Sequence, residues 1–180
     1  MVFDLRQQND NMEKDVLPFL DQDTIHHDIA WALFRSKLDM SEVYEQICVR
    51  PEDVPKMAFV TIFGTFISLV MQQGDCNVPS TFQRLMTAVF QEYITRFVHV
   101  YLDNIFIFSS TIGEHQKHLA MVFNKLHEAQ LYLSRDKVDL YLQRMDCLGH
   151  IILDRGIHAD TDKMQKIWDW LQPCNYHDVQ

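Results

Sequence analysis

Residues 99–110 read HVYLDNIFIFSS, an Asp-Asn pair set between two runs of β-branched and aromatic residues. Such runs suit the two arms of a hairpin, with Asp103 and Asn104 at its tip. Polar tip residues are ordinary in hairpins. A hairpin carrying chemistry would need a second carboxylate nearby. Residues 34–40, FRSKLDM, supply a candidate: they read as a short strand that ends in Leu38-Asp39. Phosphoryl transfer assisted by divalent cations needs acids that converge in this way, and Mg2+ takes only a few protein oxygens and fills its remaining positions with water and substrate phosphates. Two Asp residues on adjacent strands of one sheet meet that need.

The chain has 180 residues, of which 47% are hydrophobic and 12% aromatic, enough for one sizeable packed domain. Four cysteines (Cys48, Cys76, Cys147 and Cys174) are scattered without a CxxC pair, which fits free thiols in a reducing compartment rather than a disulfide framework or a zinc site. The N-terminus is polar and mixed in charge, unlike a secretory signal. The longest apolar stretch, residues 58–71, is interrupted by Gly64 and shorter than a membrane helix. These features predict a soluble intracellular protein, cytoplasmic or nuclear, with no membrane partner. The net charge is −9, and seven acids against Arg6 and Lys14 fall within residues 1–28. So acidic a chain is a poor non-specific binder of phosphate backbones, so any nucleic-acid role has to rest on a local basic surface or on bound cations.

Along the chain, a short helix is expected within residues 21–34, then the strand at 34–40, then a helical turn and a strand in SEVYEQICV. Pro51 and Pro55 break the segment that follows. Residues 57–71 read as two strands around Gly64. Ser80 and Gln83 have the spacing of a capping box opening a helix over about 80–94, and Thr111 and Glu114 the same for a helix over about 112–130. Strands are expected in LYLSRDKVDLYLQ and on both sides of a tight turn at Asp154-Arg155-Gly156, with a last helix at about 161–171. Hairpins interspersed with helices make the fold class α+β.

Six segments, LPFLDQ, FRSKLDMSEVYEQICVRPEDVPKMAF, MQQGDCNVPSTFQRLM, FVHVYLDNIFIFSS, EHQKHLAMVFNKL and CLGHIILDRGIHAD, together resemble, in order and spacing over almost the whole chain, the reverse transcriptases of gypsy-type LTR retrotransposons. The resemblance implies the palm of a right-hand polymerase, an antiparallel sheet backed by helices, with partial fingers. It divides the chain into palm (13–48 and 73–159), a fingers remnant (1–12 and 49–72) and the start of a thumb (160–180). It implies RNA-directed DNA polymerase activity, adding dNTPs to a primer 3′-hydroxyl on an RNA or DNA template by two-metal phosphoryl transfer, with Mg2+ or Mn2+ held by Asp39 and Asp103. By the same resemblance Tyr44 packs under the sugar of the incoming nucleotide, Gln73 and Lys56 line the nucleotide pocket, and Leu148, Gly149 and His150 hold the primer end. Other segments of a retroelement polyprotein are its expected protein partners.

Two departures from the family bear on activity. The family carries Asp-Asp where this chain has Asp103-Asn104, so the third carboxylate is an amide: nearly isosteric, but neutral and a weaker ligand for a hard dication. The segment VFDLRQQN resembles the family just after its triphosphate-gripping basic residues, and PCNYHDVQ resembles the point where the thumb begins. The chain is therefore expected to be a truncated fragment with impaired catalysis. The alternative is a catalytically dead remnant that keeps at most nucleic-acid or subunit binding. Blander readings apply elsewhere. His115 and His118 have a spacing metals use but no third ligand in reach. His26-His27 reads as solvent-facing helix. Lys117, Lys125, Arg135 and Lys137 read as solvated surface. Trp168 and Trp170 cannot both face one core from a helix.

Overall fold

The computed structural model describes residues 4–40 and 42–170. Cys174 and the remainder of the expected thumb segment after Trp170 lie outside the described residues. The elements in chain order are α1 (Arg6–Asp10), α2 (Gln22–Trp31), β1 (Phe34–Asp39), β2 (Ala58–Thr61), β3 (Gly64–Ile67), α3 (Val78–Val89), β4 (Val98–Tyr101), β5 (Asn104–Ser109), α4 (Ile112–Glu128), β6 (Val138–Asp139), β7 (Met145–Cys147), β8 (His150–Leu153), β9 (Gly156–Ala159) and α5 (Thr161–Trp168).

The central sheet runs β4-β5-β1-β6 and is antiparallel throughout. Alternation along its strands gives it two apolar faces. Leu38, Val98, Val100, Ile105 and Ile107 pack against Phe82 and Met86 of α3 and Leu119, Val122 and Leu126 of α4. Phe106, on the opposite face, packs with Ile25 and Ile29 of α2 and with Met145, Cys147 and Ile152 of a second sheet, β7-β8-β9. Each such fully buried side chain contributes roughly 1.5–3 kcal/mol. A one-residue slip of β1 against β5 would exchange its rows between the two faces and mismatch both cores, so packing fixes the register. The expected antiparallel sheet backed by two helices is what the chain forms.

Two capping expectations part company. At α4, Thr111 accepts from the Glu114 N–H and Glu114 reaches back to the Thr111 N–H, a complete capping box. At α3, the helix starts earlier, with Asn77 at the N-cap position and Pro79 in the first turn. Ser80 donates to the Asp15 carbonyl instead, 2.8 Å away, and Gln83 is drawn inward to the β4–β5 turn. The stretch expected as a strand in LYLSRDKVDLYLQ contributes only the two residues of β6, preceded by a short 3-10 turn at Arg135–Lys137.

His26 corrects another expectation. It is buried, not solvent-facing: its Nε2 lies 3.0 Å from the Cys147 carbonyl, and its ring meets His150 edge-on at 4.6 Å. The reason is that α2 lies across the β7–β8 hairpin. Buried Arg35 fastens the same helix, donating to the Ile29 and Ala30 carbonyls at its C-terminal end and to Asp154. Cys48, Cys76 and Cys147 are free thiols. Among the described residues no helix is long and apolar enough to cross a membrane.

Candidate active site

Asp39 closes β1 and Asn104 opens β5, and the two are cross-strand partners. The turn joining β4 to β5 is Leu102-Asp103, with Tyr101 opposite Asn104. Asn104 is thus the first strand residue, not a tip residue. The Met40 N–H donates to the Asp103 carbonyl at 3.0 Å, which ties the turn to the end of β1. Side chains directly opposite in an antiparallel pair share a face, so Tyr101, Asn104 and Asp39 form one row across the sheet end, with Asp103 beside it. The fold brings together Asp39 and Asp103, the two acids singled out in the sequence.

The turn is held under strain. Leu102 has φ +52°, in the left-handed region, which costs a branched side chain roughly 1–2 kcal/mol. Gln83, buried in α3, offsets this. Its Nε2 donates to the Val100 carbonyl at 3.1 Å and its Oε1 accepts from the Leu102 N–H at 2.8 Å. Gln83 was not among the site residues expected from the sequence. Its only sequence signal, a spacing of three from Ser80, pointed to a different role.

Three further contacts set the electrostatics. Asn104 Nδ2 donates to Asp103 Oδ1 at 3.1 Å. Lys137 Nζ donates to Asp39 Oδ1 at 3.1 Å. Tyr44 packs edge-on against Phe82, and its hydroxyl is held above the usual phenol range, first by burial and then by the negative charge of Asp103. Tyr44 therefore stands within electrostatic reach of Asp103. Lys137, read from the sequence as solvated surface, is a member of the site.

The remaining expected residues lie elsewhere. Lys56 is exposed and donates to Asp53 at 2.6 Å. It lines a cavity of about 810 Å3 with Arg50, Arg84, Asp15 and Met57, apart from the Asp39 row. Gln73 is exposed in the loop before α3, while its neighbour Gln72 is buried with an unpartnered amide nitrogen. Leu148 and Gly149 form the tight turn between β7 and β8, with φ +46° and +86°, and His150 begins β8. A Cβ added at Gly149 would lie 2.8 Å from Lys163 Nζ, so the Lys163 side chain reaches from α5 to the turn. His115 and His118 do not form a metal site: both direct Nδ1 at the Ser109 hydroxyl, 2.9 and 2.7 Å away.

Among the described residues no group of three or more His, Cys, Asp or Glu side chains is placed to hold a metal ion. The acid pair is nonetheless a hard-oxygen set. Two carboxylates and the Asn104 carbonyl oxygen suit Mg2+ or Mn2+, and two negative charges suit one dication better than two.

An antiparallel sheet backed by α3 and α4 is the fold of a polymerase palm. The family model for reverse transcriptase (RNA-dependent DNA polymerase) matches residues 2–152, and the chain belongs to that family. It is a reverse transcriptase domain of the LTR-retrotransposon kind. Over all 180 residues it is 29% identical to the retrovirus-related Pol polyprotein from transposon opus of Drosophila melanogaster, covering 18% of that protein. It is 31% identical to the polyprotein from transposon 297 of the same fly, covering 17%, and 29% identical to the transposon Tf2-7 polyprotein of Schizosaccharomyces pombe, covering 14%. The chain thus spans less than a fifth of the length of these relatives. In fold it is similar to the foamy viral protease-reverse transcriptase. The TM-score is 0.90 at 23% identity to the form in complex with double-stranded DNA, over 100% of this chain and 31% of that one. It is 0.86 at 22% identity to the form in complex with an RNA/DNA hybrid, over 99% of this chain and 24% of that one.

Proposed function

We propose that this domain carries out RNA-directed DNA synthesis, joining a dNTP to a primer 3′-hydroxyl on an RNA or DNA template, in weakened form. The observation that carries the reading is the meeting of Asp39 and Asp103, 64 positions apart in the chain, at one end of the β1–β5 pair. In the reaction the 3′-hydroxyl loses its proton to water, its oxygen bonds to the α-phosphorus as the bond from that phosphorus to the β-phosphate oxygen breaks, and pyrophosphate leaves. Asp39 and Asp103 would hold a divalent cation, Mg2+ or Mn2+, which would supply a lowered pKa at that hydroxyl and charge stabilisation at the phosphoryl oxygens. Tyr44, packed on Phe82 beside Asp103, forms the floor for the nucleotide sugar. Gln73 and Lys56 serve the nucleotide on the fingers side, and Leu148, Gly149 and His150 hold the primer end.

The domain division belongs to the same proposal. All four strands of the central sheet and both helices behind it fall within 13–48 and 73–159, the palm. The β2–β3 hairpin falls within 49–72, the fingers, together with 1–12. Residues 160–180 begin the thumb.

Asn104 is the reason for weakness. It supplies no charge and spends an amide hydrogen on Asp103. Primer extension with Mg2+ and with Mn2+ tests the reading. Asn104→Asp is expected to raise the rate at least tenfold, a gain of about 1.4 kcal/mol in transition-state stabilisation. Asp39→Asn is expected to abolish extension. If neither the natural chain nor Asn104→Asp extends a primer, the polymerase reading is lost and the binding-only remnant replaces it.

A further inference from the structure

The Asp39 carboxylate already has a cation. β6 pairs with β1 in a register that sets Val138 opposite Leu38 and Asp139 opposite Lys37. Continued by one residue, that register sets Lys137 opposite Asp39, on the same face of the sheet. Its ammonium reaches Asp39 Oδ1 at 3.1 Å. On the other flank of Asp39 stands Asn104, whose amide donates to Asp103 Oδ1. Each acid of the pair therefore has one oxygen engaged by a donor from the chain itself.

We propose that Lys137 is a positioning residue that competes with the divalent cation for Asp39, so that the site takes its ion only as the ammonium leaves. The proposal rests on the polymerase reading of the site and adds a competitor to it. Three features favour competition over a surface ion pair of no consequence. The contact is directed by strand pairing rather than by a freely roaming side chain. Asp39 is three-quarters buried, its side chain 23% exposed, so its charge is less screened than at an open surface. And the site carries two carboxylates, so one ammonium offsets half the charge that would attract a dication. A carboxylate oxygen directed at an ammonium is not available to a metal at the same distance and angle.

Lys137 is half exposed and is not a member of either apolar core, so Lys137→Met keeps most of the unbranched stem and removes the ammonium. The test is Mn2+ binding to the whole chain without nucleic acid, read from the free Mn2+ signal by electron paramagnetic resonance. Lys137→Met is expected to tighten Mn2+ binding at least tenfold, and Lys137→Gln to do the same. Adding Asp39→Asn to Lys137→Met is expected to remove the gain, which assigns the ion to this carboxylate. Thermal midpoints in EDTA check that each variant is folded. Equal Mn2+ affinity in the natural chain and both Lys137 variants, while Asn104→Asp binds tighter, would overturn the competition and leave the polymerase reading intact. Absence of any Asp39-dependent Mn2+ binding in all of these proteins would overturn the cation site itself, and both inferences with it.

Discussion

At the scale of single residues, the site is defined by what surrounds the two acids. Asp39 and Asp103 could be read from the sequence because each follows an apolar strand run. Gln83 and Lys137 could not. The role of Gln83 depends on α3 lying over the β4–β5 turn, a tertiary fact with no local signature. Its spacing from Ser80 imitates a capping box, but Asn77 and Pro79 begin the helix before that box could form. Lys137 depends on a two-residue strand pairing with a segment 98 positions away. Gln83→Leu tests the residue-scale account. The substitution keeps bulk but leaves the Leu102 N–H and the Val100 carbonyl without partners in a buried place. The expected cost is about 1–3 kcal/mol in urea unfolding. Because the strained Leu102 is then unsupported, primer extension should fall by more than the loss of folded protein explains. A variant that keeps both stability and rate would show that the turn holds its shape without Gln83.

At the scale of elements, α4 joins the sheet through a buried polar chain rather than through apolar contacts alone. Ser36 Oγ on β1 lies 2.8 Å from His115 Nε2, and Ser109 Oγ on β5 lies between His115 Nδ1 and His118 Nδ1. The helix was legible because its capping box and apolar spacing are local. The polar chain was not, since Ser36 and His115 meet only once β1 lies beside β5. Burial pushes the His115 imidazole down to about 4, with His118 adding to the shift. His99 and His118 are lowered in the same direction, burial being the main cause for each. In the unfolded chain these groups return to ordinary histidine values, so between about pH 4 and 6.5 the unfolded state binds more protons than the folded one. The stability that His115 lends is complete above pH 6.5 and is lost as the pH falls towards 4, and His99 and His118 act in the same direction. Thermal melts across that window should show the midpoint dropping with acid, and His115→Gln, though less stable at pH 7, should show a shallower drop. Parallel slopes in the two proteins would mean that His115 takes up its proton as readily folded as unfolded.

At the scale of the whole molecule, one sheet is covered on both faces while the β2–β3 hairpin stands apart from both cores. The sequence predicted the hairpin from its two apolar runs around Gly64, but a run of apolar residues does not say whether anything covers it. Here little does: Val60, Ile62 and Phe63 are 80%, 93% and 84% exposed, and Trp168 and Trp170 are each 73% exposed. A contiguous apolar protrusion on a chain of net charge −9 sets two tendencies against each other. Like charge keeps copies apart at low ionic strength, and screening removes that protection as the Debye length shrinks to about 3 Å at 1 M salt. Apolar association then dominates. Self-association measured by sedimentation is therefore expected to rise with salt. Ile62→Thr with Phe63→Ser should suppress the rise. Both side chains are almost wholly solvated, so the double variant should unfold within about 0.5 kcal/mol of the natural chain. If it instead loses several times that, the hairpin tip is packed against something in solution. If it still associates in salt, the exposed tryptophans of α5 and its end are the contact.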